Sequence, residues 1–140
     1  MEYIIRDFNN LPDDALHLRK KVFVEEQGFC DEFDDIDNRA IHFVLYEKDM
    51  PIATCRIFVG DTKGSYILGR LCVLKEYRGK GIGSKILRAA EDKVKVIGGK
   101  KLSLHSQYQA RDFYKKLGFA EYGEIEYEQH CPHIWLAKMY

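Results

Sequence analysis

The chain has 140 residues, enough for one domain (residues 1–140) with a buried core, and it is 46% hydrophobic and 31% charged. Lys plus Arg and Asp plus Glu each number 22, so the net charge is zero, which argues against nucleic-acid binding through bulk positive charge. No stretch approaches the roughly 18 consecutive apolar residues of a membrane span. Met1 to Asp7 shows no secretory pattern, so the expectation is a cytoplasmic protein.

Tyr3 to Phe8 alternates and reads as a first strand. Leu11-Pro12-Asp13-Asp14 opens a helix, with proline in the first turn and two aspartates at the positive end. Its apolar spacing continues through Ala15, Leu18, Val22 and Phe23 to Gly28, a stop or a break between two helices. Cys30 to Arg39 holds five carboxylates, Asp31, Glu32, Asp34, Asp35 and Asp37. A calcium loop would need a glycine at its sixth position and oxygens in step, and neither is present. The stretch reads as a solvated loop, with an amine-attracting acidic lip as the rival reading. Ala40 to Glu47, Ile52 to Val59 and Tyr66 to Leu74 form a meander of three strands, turning at 48–51 and 60–65.

Next comes Arg78-Gly79-Lys80-Gly81-Ile82-Gly83, followed by a helix from Ser84 to Ile97 with Ile82, Ile86, Leu87, Ala90, Val94 and Ile97 at helical spacing. A strand, a glycine-rich turn and a helix start together make an anion site. The glycines admit close backbone approach, the helix start carries partial positive charge, and Arg78 and Lys80 add full charges. A Walker loop needs Gly, four residues, then Gly-Lys-Ser/Thr, and no such register exists. A Rossmann fingerprint needs an acidic residue about 20 positions on, where Lys100 and Lys101 stand instead. Lys101 to His105 alternates as a strand parallel to the one before the loop, because a strand-helix-strand unit returns in the same direction. Gln109 to Leu117 is a short amphipathic helix ended by Gly118, and Phe119 to Glu128 and His133 to Met139 are a final strand pair. The order gives an α/β fold, a mixed twisted sheet of about seven strands with helices on both faces.

Leu71 to Gly83 resembles the acetyl-CoA signature of the GNAT family of N-acetyltransferases, and Ala110-Arg111-Asp112-Phe113-Tyr114-Lys115-Lys116-Leu117-Gly118-Phe119 looks like that family's second recognisable motif. The element order is also that of the GNAT fold. Val22 to Gly28 and Pro132-His133 are similar to the small bacterial ElaA-like branch. The resemblance implies transfer of an acetyl group from acetyl-CoA to a primary amine of a small molecule or peptide, by direct attack in a ternary complex. A non-catalytic acyl-CoA sensor or partner domain is the alternative, and a nucleotide-binding protein stands third. Family members often dimerise, so the resemblance leaves a homodimer open.

The cofactor residues it implies are Arg78, Gly79, Lys80, Gly81, Ile82, Gly83 and Ser84 around the diphosphate. Leu71, Cys72 and Val73 supply pantetheine-binding amides and an oxyanion donor, and Gln107 stands where the family often has asparagine. Tyr114 corresponds to the family's general acid; at neutral pH a tyrosine keeps its proton and can donate to a thiolate. Glu26 is the first choice for the base, Glu25 its alternative, and His133 a third candidate because histidine titrates in a useful range. Cys72 reads better as a packing thiol than as a nucleophile. Cys30, Cys55, Cys72 and Cys131 contain no close pair, so reduced thiols are expected and no metal is. His130-Cys131-Pro132-His133 could suggest a metal clip, but proline and strand geometry scatter the side chains.

Overall fold

In the computed structural model, which describes residues 2–30 and 34–140, seven strands form one sheet in the order β1-β2-β3-β4-β5-β7-β6. They are β1 Tyr3–Phe8, β2 Ile41–Glu47, β3 Met50–Val59, β4 Ser65–Val73, β5 Lys101–Gln107, β6 Ala120–Glu128 and β7 Cys131–Met139. The helices are α1 Asp13–Arg19, α2 Ile82–Val96 and α3 Arg111–Lys116. β4 and β5 run parallel, as the α2 crossover requires, and every other neighbouring pair is antiparallel. β2 and β3 are buried on successive residues, hence on both faces; α1 covers one face and α2 the other. α2 turns Ile82, Ile86, Leu87, Ala90 and Val94 into that core, each large side chain contributing about 1.5–3 kcal/mol by leaving water.

Several boundaries differ from the sequence reading, for physical reasons. The helix expected to run to Gly28 is α-helical only to Arg19 and continues as a wider π turn over Lys20–Glu26. β3 begins at Met50 and includes Pro51, which is tolerated because the ladder with β2 slips between Leu45 and Tyr46. β7 likewise starts at Cys131 rather than His133.

The acidic loop is the larger correction. Asp31 and Glu32 lie outside the described residues, but Asp37 is fully buried, not solvated. Arg19 donates to both of its oxygens at 2.9 and 3.2 Å, and Arg56, also buried, donates at 2.6 Å. Arg56 reaches Asp34 as well, at 2.8 Å, and Asp34 caps the 3-10 turn Asp35–Asn38 that delivers Asp37 inward. Burial alone would raise the Asp37 carboxyl; the two guanidinium groups outweigh it and hold the group well below the usual carboxylate range.

His42, also buried, shares a 3.0 Å hydrogen bond between Nε2 and the Asp37 carbonyl, and burial holds it below its ordinary 6.5 in spite of that bond. The unfolded chain therefore binds this proton at a pH where the folded chain does not. The contribution of His42 is complete above about pH 6.5 and declines as pH falls below it, by at most about 1.4 kcal/mol per pH unit. Urea midpoints at pH 7.5 and 5.5 should show the fall, and His42→Gln should flatten it.

Candidate functional site

β4 and β5 pair only from Ser65↔Lys101 to Leu68↔Leu104, although β4 continues to Val73 and β5 to Gln107. The cause lies in β4. Between Thr54↔Cys72 and Arg56↔Gly69 the partner strand has one residue, Cys55, where β4 has two, Arg70 and Leu71. Arg70 takes a φ of 56°, so the bulge bends the end of β4 out of the shared plane. The two strands part, and a cavity of about 850 Å³ opens between them. There β4 presents its main chain to the cavity instead of to β5.

The far end of this cavity is the glycine loop. Gly79 and Gly81 have φ of 76° and 77°, and a Cβ built on either meets nothing within 4 Å. At Gly83 an added Cβ would come within 3.2 Å of Phe113, so this third glycine serves close packing of α2 on α3 instead. The first amides of α2 have no partner within the helix and carry its positive pole. Such a backbone cradle, open where side chains would be, suits a diphosphate.

Leu71, Cys72, Val73, Arg78, Gly79, Gly81, Ile82, Gly83, Ser84, Gln107, Tyr114 and His133 all line the cavity. Lys80 does not; its ammonium lies over the Tyr77 ring at 5.6 Å. Gln107 donates to Gln27 and accepts from Gln109, so it is held by neighbours on both sides. Tyr114 is buried, and that burial pushes its hydroxyl well above its ordinary value of 10. Cys72 is buried, fitting a packing thiol.

Glu26 is where the sequence reading needs revision. Arg78 donates to both its oxygens at 2.6 and 2.7 Å while also reaching the Val73 carbonyl at 3.0 Å. The Arg78 hydrogen bonds hold the Glu26 carboxyl below its ordinary 4.5, so a carboxylate expected to be a base is instead the partner of a cavity-lining arginine. Glu25, the alternative, is exposed and does not line the cavity. His133 is buried in the cavity wall with Nδ1 donating to the Cys131 carbonyl at 3.0 Å. His130 packs on Phe29 at 4.7 Å, and the same Phe29 ring meets His133 edge-on at 6.3 Å.

Among the lining residues that escaped the sequence reading are His105, Glu128 and Trp135. Their signal was present as alternation. His105 pairs with Trp135, and His133 pairs with Gln107 on one side and Glu126 on the other, placing all five on one face of the sheet.

Residues 38–121 match the acetyltransferase (GNAT) domain. A Bacillus subtilis protein named as an acetyltransferase is 39% identical over 129 residues, covering 89% of this chain and 86% of that protein. Among solved structures, Escherichia coli ElaA superposes with a TM-score of 0.86 at 26% identity, covering 98% of this chain and 99% of that one. An aminoglycoside 6'-N-acetyltransferase complexed with coenzyme A shares the fold with a TM-score of 0.77 at 18% identity, covering 97% and 96%. Among the described residues, no helix is long and apolar enough to cross a membrane.

Proposed function

The chain belongs to the GNAT family of N-acetyltransferases, and from that premise we propose that it acetylates a primary amine by direct attack in the gap between β4 and β5. One observation supports the location above others: the open glycine cradle, the end of β4 that has parted from β5 and a buried tyrosine line a single cavity. Acetyl-CoA supplies the activated thioester. Gly79, Gly81 and the amides of Ile82, Gly83 and Ser84 would take its diphosphate, with Arg78 adding charge at the rim. The aminoglycoside acetyltransferase with bound coenzyme A, sharing this fold, favours the same assignment. Amides of Leu71, Cys72 and Val73 would line the pantetheine, one of them polarising the thioester carbonyl. Gln107 is a further contact. Thiols without a disulfide among the described residues fit a reducing cytoplasm.

The amine nitrogen attacks the carbonyl, the C–N bond forms, and the C–S bond breaks with its electron pair on sulfur. Tyr114, which lines the cavity, would face that sulfur. Because burial raises its pKa, it keeps its proton and steadies the nascent thiolate by hydrogen bonding, complete transfer being uphill. Tyr114→Phe should lower turnover by on the order of 100-fold and leave acetyl-CoA affinity nearly unchanged. Thiol release with acetyl-CoA and an amine panel, beside calorimetry, measures both. Coenzyme A binding with no amine-dependent thiol release would instead favour an acyl-CoA sensor.

A further inference from the structure

With Glu26 paired to Arg78, another carboxylate of the cavity is the natural acceptor for the ammonium proton. Among the described residues, the carboxylates that line the cavity are Asp34 and Glu128. Asp34 is occupied: Arg56 donates to it at 2.8 Å, Arg70 lies 3.7 Å away, and it accepts the Asp37 amide. Glu128 has a different partner. Its carboxylate meets Nδ1 of His105 in a short hydrogen bond, and roughly half of its side chain is exposed. A carboxylate oxygen only accepts, so Nδ1 carries the hydrogen of that bond.

His105 is itself fixed. It is the first β5 residue beyond the last rung shared with β4, so it stands where the gap opens. Its ring stacks on Trp135 at 4.7 Å and 19°, and lies 5.1 Å from His133. Its Nε2 is buried without a hydrogen bond, 3.4 Å from Glu126 Oε1. An imidazole gripped by stacking holds one oxygen of Glu128 and leaves the other able to accept, restricting a side chain that would otherwise sample many rotamers.

We propose that Glu128, positioned by His105, is the general base. This rests on the acetyltransferase reading and names the amine side of that same site. The ammonium N–H bond breaks as an O–H bond forms on Glu128. The electron pair stays on nitrogen for attack, and the proton leaves to solvent from the exposed side of the carboxylate. Glu128 is the catalytic residue and His105 a positioning residue. The titratable and charged groups facing the pair are Glu126 from β6 and Cys131 and His133 from β7, with Asp34, Arg56 and Arg70 lining the same cavity.

The test uses tyramine, spermidine and a lysine peptide as acceptors at saturating acetyl-CoA, with acetyl-CoA affinity followed by calorimetry. Glu128→Gln should lower kcat/KM for the best amine by on the order of 100-fold or more and abolish the acidic limb of its pH profile. Acetyl-CoA affinity should stay within about twofold, since no cofactor contact is removed. His105→Asn should give a smaller loss with the acidic limb retained. A Glu128→Gln enzyme within about threefold of the parent, or with the limb intact, overturns the proposal. Should acetyl-CoA bind but no amine be acetylated, the acetyltransferase reading is what has failed. The base assignment is then judged by NMR on the CoA-loaded protein. The His105 ring resonances should move when each amine is added and stay still in Glu128→Gln; unmoved resonances in the parent overturn it.

Discussion

Gly81→Val should abolish acetyl-CoA binding while leaving the fold intact. The backbone there has a φ of 77°, where a β-branched residue is strained by roughly 1–3 kcal/mol. The added atoms would meet no protein neighbour within 4 Å, because the space they would occupy is the mouth of the cavity. Two effects therefore act together. The methyls fill the volume a diphosphate needs, and relief of strain moves the first amides of α2 off their aim. Gly98→Val is the matched control: it sits at φ 86°, equally open, at the other end of α2. Calorimetry should show binding in the control and none in Gly81→Val at concentrations up to about 100 times the parent Kd. A Gly81→Val protein that binds normally would move the diphosphate elsewhere. A control that also fails would make general destabilisation the cause.

The largest stability loss should come from Asp37→Asn, by about 3–5 kcal/mol. Arg19 and Arg56 are both buried, and Asp37 is the anion they share at 2.9 and 2.6 Å. An amide of the same shape cannot neutralise either cation, and it brings donors where only acceptors fit. Asp34 still reaches Arg56. Against a total of about 5–15 kcal/mol for a domain, such a loss leaves a small margin. Urea unfolding at pH 7.5 measures it, and a shift below about 1 kcal/mol would mean that water or side-chain movement serves the two arginines instead.

How far the chain could be read in advance follows from what each signal encodes. The succession of elements along the chain, the parallel β4–β5 pair and the glycine loop were legible, since period-2 runs, period-3.6 runs and glycine spacing are local properties. The role of Asp37 was not. Its neighbours in sequence are acidic and polar, as in any solvated loop, and its partners Arg19 and Arg56 lie 18 and 19 residues away. Glu26 illustrates the same limit, because its distance from Arg78 in sequence is 52. A carboxylate near a site looks like a base until its partner is known. His105 and Glu128 were hidden by their ordinariness, as alternate residues on two strands whose adjacency depends on β7 lying between them.

The parting of β4 and β5 turns the sheet from a floor into a partition with one doorway. On the proposed reading, whatever carries the acetyl group would be gripped along the threshold by main-chain atoms, which are indifferent to neighbouring side chains. The guest on the other side would then meet Trp135, His133 and Phe29, side chains that line the opposite wall. Donor handling and choice of guest are thereby written in separate alphabets, one of backbone and one of side chains. A scaffold divided in this way can acquire a new acceptor by exchanging a few rings and charges on one wall.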